Sequence, residues 1–460
     1  MSGAHGSASI VFKGGRSVKA GIISLGCAKN LVDTEVMLGL LQEGGIALTP
    51  NPGEADILVV NTCAFIESAK QESITTILNM AEYKKSGRCR SLIIAGCLGQ
   101  RYAAQLLEEL PEADAIVGTG AWNRIMEAVT ETEKGRRVVL AGASEIIYSA
   151  KTPRILTTPL YTAYVKIAEG CDHRCAFCAI PLIRGRYRSR AMEDIREEVE
   201  RLAAAGVKEI NLIAQDTTNY GRDLYGEPSL ARLLRLLSQV EGVRWLRILY
   251  AYPRFFTDDL IETIATEPKI CKYIDLPLQH AHDAVLRSMR RADDRAMIEA
   301  LLDKIRARIP GAVIRSTFIV GFPGETDAQY QTLRRFLEVQ RFDQVGVFTY
   351  SQEEGTPAAS MGGQVAEDVM QERYHDLMSL QSKISEETNR SLEGRALEVL
   401  VEGRDETQAN IAYGRSYREA PEVDGQIYIE GDADSRPGDM VKVRILQGFA
   451  YDIVGERVEG

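Results

Sequence analysis

Cysteine is sparse in this chain, with 8 among 460 residues. That is too thin for a disulfide-stapled scaffold, and in a reducing compartment spaced cysteines more often serve as metal ligands or catalytic groups. Long apolar runs are missing: none approaches the ~20 residues that a membrane-spanning helix needs. The first 20 residues, MSGAHGSASIVFKGGRSVKA, have neither a long apolar core nor a convincing cleavage site, which argues against a secretory signal. The expectation is a Gly/Ser-rich disordered lead over 1–18, on a cytoplasmic protein without membrane association. Basic charge is short as well. The 55 Lys and Arg against 65 Asp and Glu leave a net charge of −10. This argues against nucleic-acid binding through bulk electrostatics and favours a basic partner, with a local basic patch still open. No Walker-type phosphate loop occurs.

What is present begins with length enough for about three domains at ~150 residues each. A composition 45% hydrophobic and 26% charged excludes collagen-like, disordered and coiled-coil classes for the whole chain. Three apolar runs in the first 100 residues share one design: 21–27 (GIISLGC), 56–63 (DILVVNTC) and 91–97 (SLIIAGC) each end in a cysteine. Each has buried-strand composition and precedes a helical pattern, at 32–43, 65–85 and 100–109. Alternating strand and helix implies a parallel sheet whose carboxyl-end loops gather on one edge. Cys27, Cys63 and Cys97 are therefore expected to meet there as a metal site. A buried structural thiol is the alternative for any one of them, but three consecutive strand ends favour the metal. Cys89 and Cys271 lack this placement and read as ordinary thiols.

The sharper group is CDHRCAFC over 171–178. Cys171, Cys175 and Cys178 can wrap one compact inorganic core from a single loop. A structural zinc site wants four protein ligands, and only His173 could supply a fourth nearby. Iron–sulfur clusters normally take four thiolates, so three on a four-iron cluster leave one iron open to a substrate or cofactor. A strand at 161–167 precedes the loop. Further strands are expected at 208–214, 244–250, 272–277, 312–320 and 344–349, with helices at 193–205, 228–240, 257–266, 294–308 and 326–340. Six strand–helix units fit an open, partial version of the parallel α/β barrel, with chemistry at the carboxyl ends of the strands.

The loop, with Phe177 before its last cysteine, matches the CxxxCxxC signature of the radical S-adenosylmethionine (SAM) superfamily. A three-cysteine domain ahead of such a barrel resembles the methylthiotransferase subgroup, and the alternating strands from 395 onward resemble its small TRAM barrel. Within the subgroup, 26–33 (GCAKNLVD), 62–66 (TCAFI), 215–221 (QDTTNYG) and 414–422 (GRSYREAPE) resemble the RimO type. The MiaB type, which modifies an adenosine of transfer RNA, carries different residues at these landmarks and is the alternative within the class. A noncatalytic iron–sulfur module of the ribosome is the alternative outside it. The resemblance implies an α/β architecture in three parts: a parallel-sheet domain over 19–140, a partial (β/α)6 radical-SAM core over 157–388 and an OB-like antiparallel TRAM barrel over 391–458.

It also implies the chemistry. Cys171, Cys175 and Cys178 would ligate a 4Fe–4S cluster whose free iron chelates SAM, and one-electron reduction would cleave SAM into methionine and a deoxyadenosyl radical. Ordinary side-chain acids and bases do not reach an unactivated C–H bond, so the cofactor must carry that step. Cys27, Cys63 and Cys97 would hold a second 4Fe–4S cluster that delivers sulfur, and a second SAM would supply the methyl group. The implied substrate is an aspartate β-carbon in small-subunit ribosomal protein S-twelve, with a flavodoxin or ferredoxin as electron donor and the sulfur source open.

Weaker signals surround these. Gly321–Glu325 (GFPGE) is a strand–helix turn that the family places near SAM, though a plain turn reads equally well. Arg184, Arg186, Arg188 and Arg190 suit either a carboxylate-steadying role or a solvated charged loop. His280 and His282 read as structural, and Glu197, Glu198 and Glu200 as the solvated face of a helix. From 391 to 460 there are 15 acidic and 8 basic residues, a charge of −7. An RNA-holding barrel needs a positive groove, so this one suits a basic protein substrate, with plain solubility as the competing explanation.

Overall fold

The computed structural model describes residues 18–143, 146–408 and 410–458; the lead expected over 1–18 lies, but for Val18, outside them. The amino-terminal domain is a six-stranded, all-parallel sheet. Its order is Ala47–Leu48, Lys19–Ser24, Ile57–Thr62, Ser91–Gly96, Ala115–Gly118, Val138–Leu140. Ile57–Thr62 and Ser91–Gly96 are buried along their whole length, which is why they read as unbroken apolar runs rather than alternating ones. The helices start earlier than periodicity alone suggests, at Ala28 and at Cys97. The turns at Cys27 and Cys97 run straight into helical turns. Gly96 makes this possible: at φ +88 a Cβ would fall 2.3 Å from Asn61 Oδ1, so only glycine fits. The helix expected over 65–85 divides into Glu67–Ala81 and Tyr83–Ser86.

The central domain has six parallel strands: Thr162–Lys166, Glu209–Ile213, Trp245–Ile248, Tyr273–Asp275, Val313–Val320 and Gln344–Thr349. They form two three-stranded sheets joined at a Leu246–Ile270 bridge, and the first and last strands do not pair, so the barrel stays open. Helices such as Met192–Ala204 and Asp327–Gln340 cover its outside. The strand expected over 244–250 stops at Ile248 because Tyr250 turns into the left-handed region, φ 63.

The tail closes into a five-stranded barrel. It is not wholly antiparallel: Ile427–Glu430 pairs in parallel with Ile453–Arg457. The tail is docked rather than tethered. Its 415–424 loop meets the amino-terminal ends of the central strands, where Arg415 pairs with Glu209, Arg247 donates to the Ser416 and Tyr417 carbonyls, and Tyr273 donates to Asp424. Asp424 also pairs with Arg315 of the core, while Glu402, Glu419 and Asp432 are engaged within the tail itself, so the surface presents less acid than the sequence count suggests.

Candidate functional site

Cys27, Cys63 and Cys97 follow three adjacent strands in register, with Ser24 opposite Asn61 and Thr62 opposite Gly96. The sheet thus brings the three thiols to one edge. A Cβ on Gly26 would lie 2.8 Å from Cys63 Cβ, a measure of how closely the first two turns approach. Asn30 and Asn61 brace the edge. The Asn30 amide donates to the Leu25 and Thr62 carbonyls, and the Asn61 amide to the Asn30 carbonyl and Thr34 hydroxyl. Burial pushes the Cys97 thiol up to about 12 and raises Cys63. At Cys27 burial also acts upward, but Lys29 and Arg184 outweigh it and lower the thiol. Burial draws Lys29 itself below its ordinary value, against the pull of Cys27.

The second group follows the short strand Ala168–Glu169. Backbone bonds shape the loop: Ala176 N–H donates to the Met289 carbonyl, Cys178 N–H to that of Cys175, and Ala358 N–H to that of Ala176. Burial raises Cys171 and takes Cys178 up to about 12. The Arg291 guanidinium stands 3.9 Å from Cys175 Sγ and over the Tyr252 ring. His173 is engaged elsewhere, stacked on Tyr252 at 3.9 Å with Nε2 2.7 Å from Asp216, which leaves it no role as a fourth ligand.

Among the described residues no three His, Cys, Asp or Glu side chains converge tightly enough for a single ion. Two sets of three thiols and no carboxylate fit a multi-iron core, which spreads its thiolate ligands more widely. The cations beside Cys27, Cys97 and Cys175 suit the donors too, since metal binding requires thiolates and releases their protons.

One buried ionic seam joins the two groups. Arg184 stands six residues past Cys178. It donates to Asp33 at 2.7 Å and to Asn30 at 2.6 Å, and lies 3.8 Å from Cys97 Sγ. Lys166, at the end of the first barrel strand, pairs with Asp33 and Glu169. Alongside, Arg154 joins Glu35 to Glu198, and Arg190 also holds Glu198. This corrects two expectations. Arg184 and Arg190 are buried structural cations while Arg186 is exposed, and Glu198 is buried rather than solvated because Arg154 approaches from the interdomain linker. His280 is structural: it accepts the His282 N–H and faces Glu325, which pairs with Arg373 and caps Gly321 N–H. His282 caps the helix Asp283–Ser288. Asn30, Lys29, Asp216, Tyr252 and Arg291 escaped the sequence reading as functional residues. Only the first three lay in stretches it singled out, and nothing local marked their partners.

The partial barrel with its CxxxCxxC loop after the first strand defines a radical SAM protein. The Radical SAM superfamily model matches residues 165–337, the TRAM domain model 394–458 and that of uncharacterized protein family UPF0004 19–118. A solved structure of the radical SAM methyltransferase TsrM from Kitasatospora setae aligns at TM-score 0.56 and 15% identity, covering 75% of this chain and 77% of that one; the likeness is one of fold. A protein of Desulforamulus reducens named ribosomal protein uS12 methylthiotransferase RimO is 52% identical over 437 residues, 95% of this chain and 98% of its own length. The protein of that name from Geobacter sulfurreducens is 48% identical over 439 residues, again covering 95% and 98%. The chain belongs to the RimO family of radical SAM methylthiotransferases. It is an enzyme of SAM and iron–sulfur chemistry, and among the described residues no helix is long and apolar enough to cross a membrane.

Proposed function

We propose that the protein adds a methylthio group to the β-carbon of an aspartate in ribosomal protein uS12. In this reading Cys171, Cys175 and Cys178 hold the 4Fe–4S cluster that binds SAM, and Cys27, Cys63 and Cys97 hold a second one. When bound, the first supplies hydrogen-abstracting radical chemistry and the second supplies sulfur. The chain's own residues organise the meeting. Arg291 and Arg184 stabilise the thiolates of Cys175 and Cys97, Asn30 and Asn61 fix the sheet-edge turns, and the Asp33–Lys166–Glu169–Arg184 seam holds the two edges face to face.

The observation that carries this reading is the opposition of two three-cysteine edges across one buried seam, in a chain about half identical to relatives named for uS12. The reading extends to a cytoplasmic location, where the ribosome works, and to a flavodoxin or ferredoxin as electron donor. Mass spectrometry of uS12 and of bulk transfer RNA from cells lacking the gene tests it. Loss of the methylthio group from uS12 with transfer RNA unchanged is expected; the reverse pattern would contradict it.

A further inference from the structure

Lys29 sits two residues past Cys27, in the first turn of the helix Ala28–Glu43. It is only 7% exposed, and its ammonium lies 3.1 Å from the centroid of the Tyr250 ring. Among the described residues that ammonium has no ion-pair or hydrogen-bond partner. A buried charge in that condition is costly unless something arrives to meet it. The carboxylates near enough to act on it are Asp275 and Glu169, and both are committed. Asp275 accepts the Tyr250 N–H at 2.8 Å and pairs with Arg315. Glu169 pairs with Lys166 and Arg184. The remaining charged neighbours are Arg184, a second cation, and Cys27. With both carboxylates and Arg184 committed to other partners, Lys29 is left as an unpaired cation beside the sheet edge where the three thiols gather.

Its geometry is built rather than incidental. Tyr250 holds φ 63, a region that costs energy for an aromatic residue and clusters at functional sites. Two neighbours hold it there: its N–H donates to Asp275, and its carbonyl accepts the Thr217 N–H at 3.0 Å. The ring thereby forms a floor under the ammonium, which keeps its remaining donors free. A lysine ammonium is a compact point charge with three donors, suited to holding one carboxylate.

We propose that Lys29, seated on Tyr250, binds the side-chain carboxylate of the substrate aspartate and so sets its β-carbon beside the Cys27 edge. The assignment rests on the uS12 reading above. An aspartate approaching three thiolates meets charge of its own sign, and a cation on that edge turns repulsion into selection. An adenosine presents no carboxylate and would have no use for it.

Binding of purified uS12 to the full, anaerobically reconstituted chain tests the assignment, using native uS12 and a form whose target aspartate is asparagine. Lys29→Met should weaken binding of native uS12 roughly thirtyfold, the usual consequence of stripping one partner from a buried charge pair. It should leave binding of the asparagine form unchanged, and Lys29→Arg should recover most of the loss. The wild-type chain should itself prefer native uS12 over the asparagine form by a similar factor, a comparison that needs no variant of the enzyme. Equal weakening of both forms by Lys29→Met, no preference in the wild type, or loss of SAM affinity in place of uS12 discrimination would overturn the assignment while leaving the uS12 reading intact. If the wild-type chain neither bound nor modified uS12, the uS12 reading would fall and the assignment with it.

Discussion

The two cysteine groups are assembled in opposite ways. The 171–178 loop carries its three thiols within eight residues, and backbone bonds to Gly185, Met289 and Ala358 of the same barrel shape it, with Arg291 standing by. The sheet-edge group takes one thiol from each of three strands, and the nearest guanidinium to Cys97 comes from the other domain, through Arg184. The first group belongs to the barrel alone; the second is completed by its neighbour. The electrostatics differ in the same sense. Burial raises Cys171 and Cys178 as it raises Cys63 and Cys97, and the difference lies at Cys27, lowered by Lys29 and the barrel's Arg184 against the upward effect of burial. The contiguous motif depends on its own barrel, whereas the sheet-edge motif depends on register and on docking.

The largest expected effect breaks the comparison at the loop. Changing Cys171, Cys175 and Cys178 together to Ala should abolish SAM cleavage and halve the iron of a parent carrying about eight per chain. Iron analysis and deoxyadenosine release check this, and a parent holding near four irons would refute two clusters. Next comes the seam. Arg184→Ala strands Asp33 and Glu169 with Lys166 as their shared cation and should cost about 3–5 kcal/mol in a denaturant melt, with iron lost preferentially from the sheet-edge group. Arg415→Ala, which breaks the buried pairs to Glu209 and Glu402, should cost a similar amount yet leave iron content unchanged.

A smaller effect appears with acid. Burial works to raise Glu209, but Arg415 and Arg247 hold its carboxyl down to about 2, below the ~4.3 of an unfolded chain. A depressed folded value means the pairing stabilises in full above the unfolded value and is lost as pH falls from about 4 toward 2. Melting temperature should fall across that window, and less steeply in Glu209→Gln. The smallest effect concerns the tail surface. Glu406, Glu430 and Asp434 are exposed near one end of the barrel. Changing them to Lys should weaken uS12 binding severalfold at low salt and less at high salt. Asp432 is no substitute in that experiment, because it is buried and accepts the Ser435 N–H.

The contrast between the groups also explains what could be read in advance. The 171–178 spacing is visible because its three thiols are neighbours in sequence. Cys27, Cys63 and Cys97 are visible because a parallel sheet converts three similar strand ends into one edge. Most of what lines the site depends on partners distant in sequence. Glu198 looks solvated until Arg154 arrives from the linker, and Arg184 looks like one of four alternating loop arginines until Asp33 and Asn30 meet it across the interface. Tyr250 reads as the end of a strand, since no local pattern announces a left-handed tyrosine held by Asp275. For the same reason, charge tallies do not distinguish an exposed Glu430 from a buried Asp432.

The central claim is that the two cysteine edges divide the labour across the seam. Its most direct test is a variant in which Cys27, Cys63 and Cys97 are all Ala, reconstituted anaerobically and given reductant, SAM and uS12, with deoxyadenosine and methylthio-uS12 measured side by side. The account predicts continued deoxyadenosine release with no methylthio product. Loss of both in a folded variant that keeps its barrel iron, or persistence of the methylthio product, would contradict it.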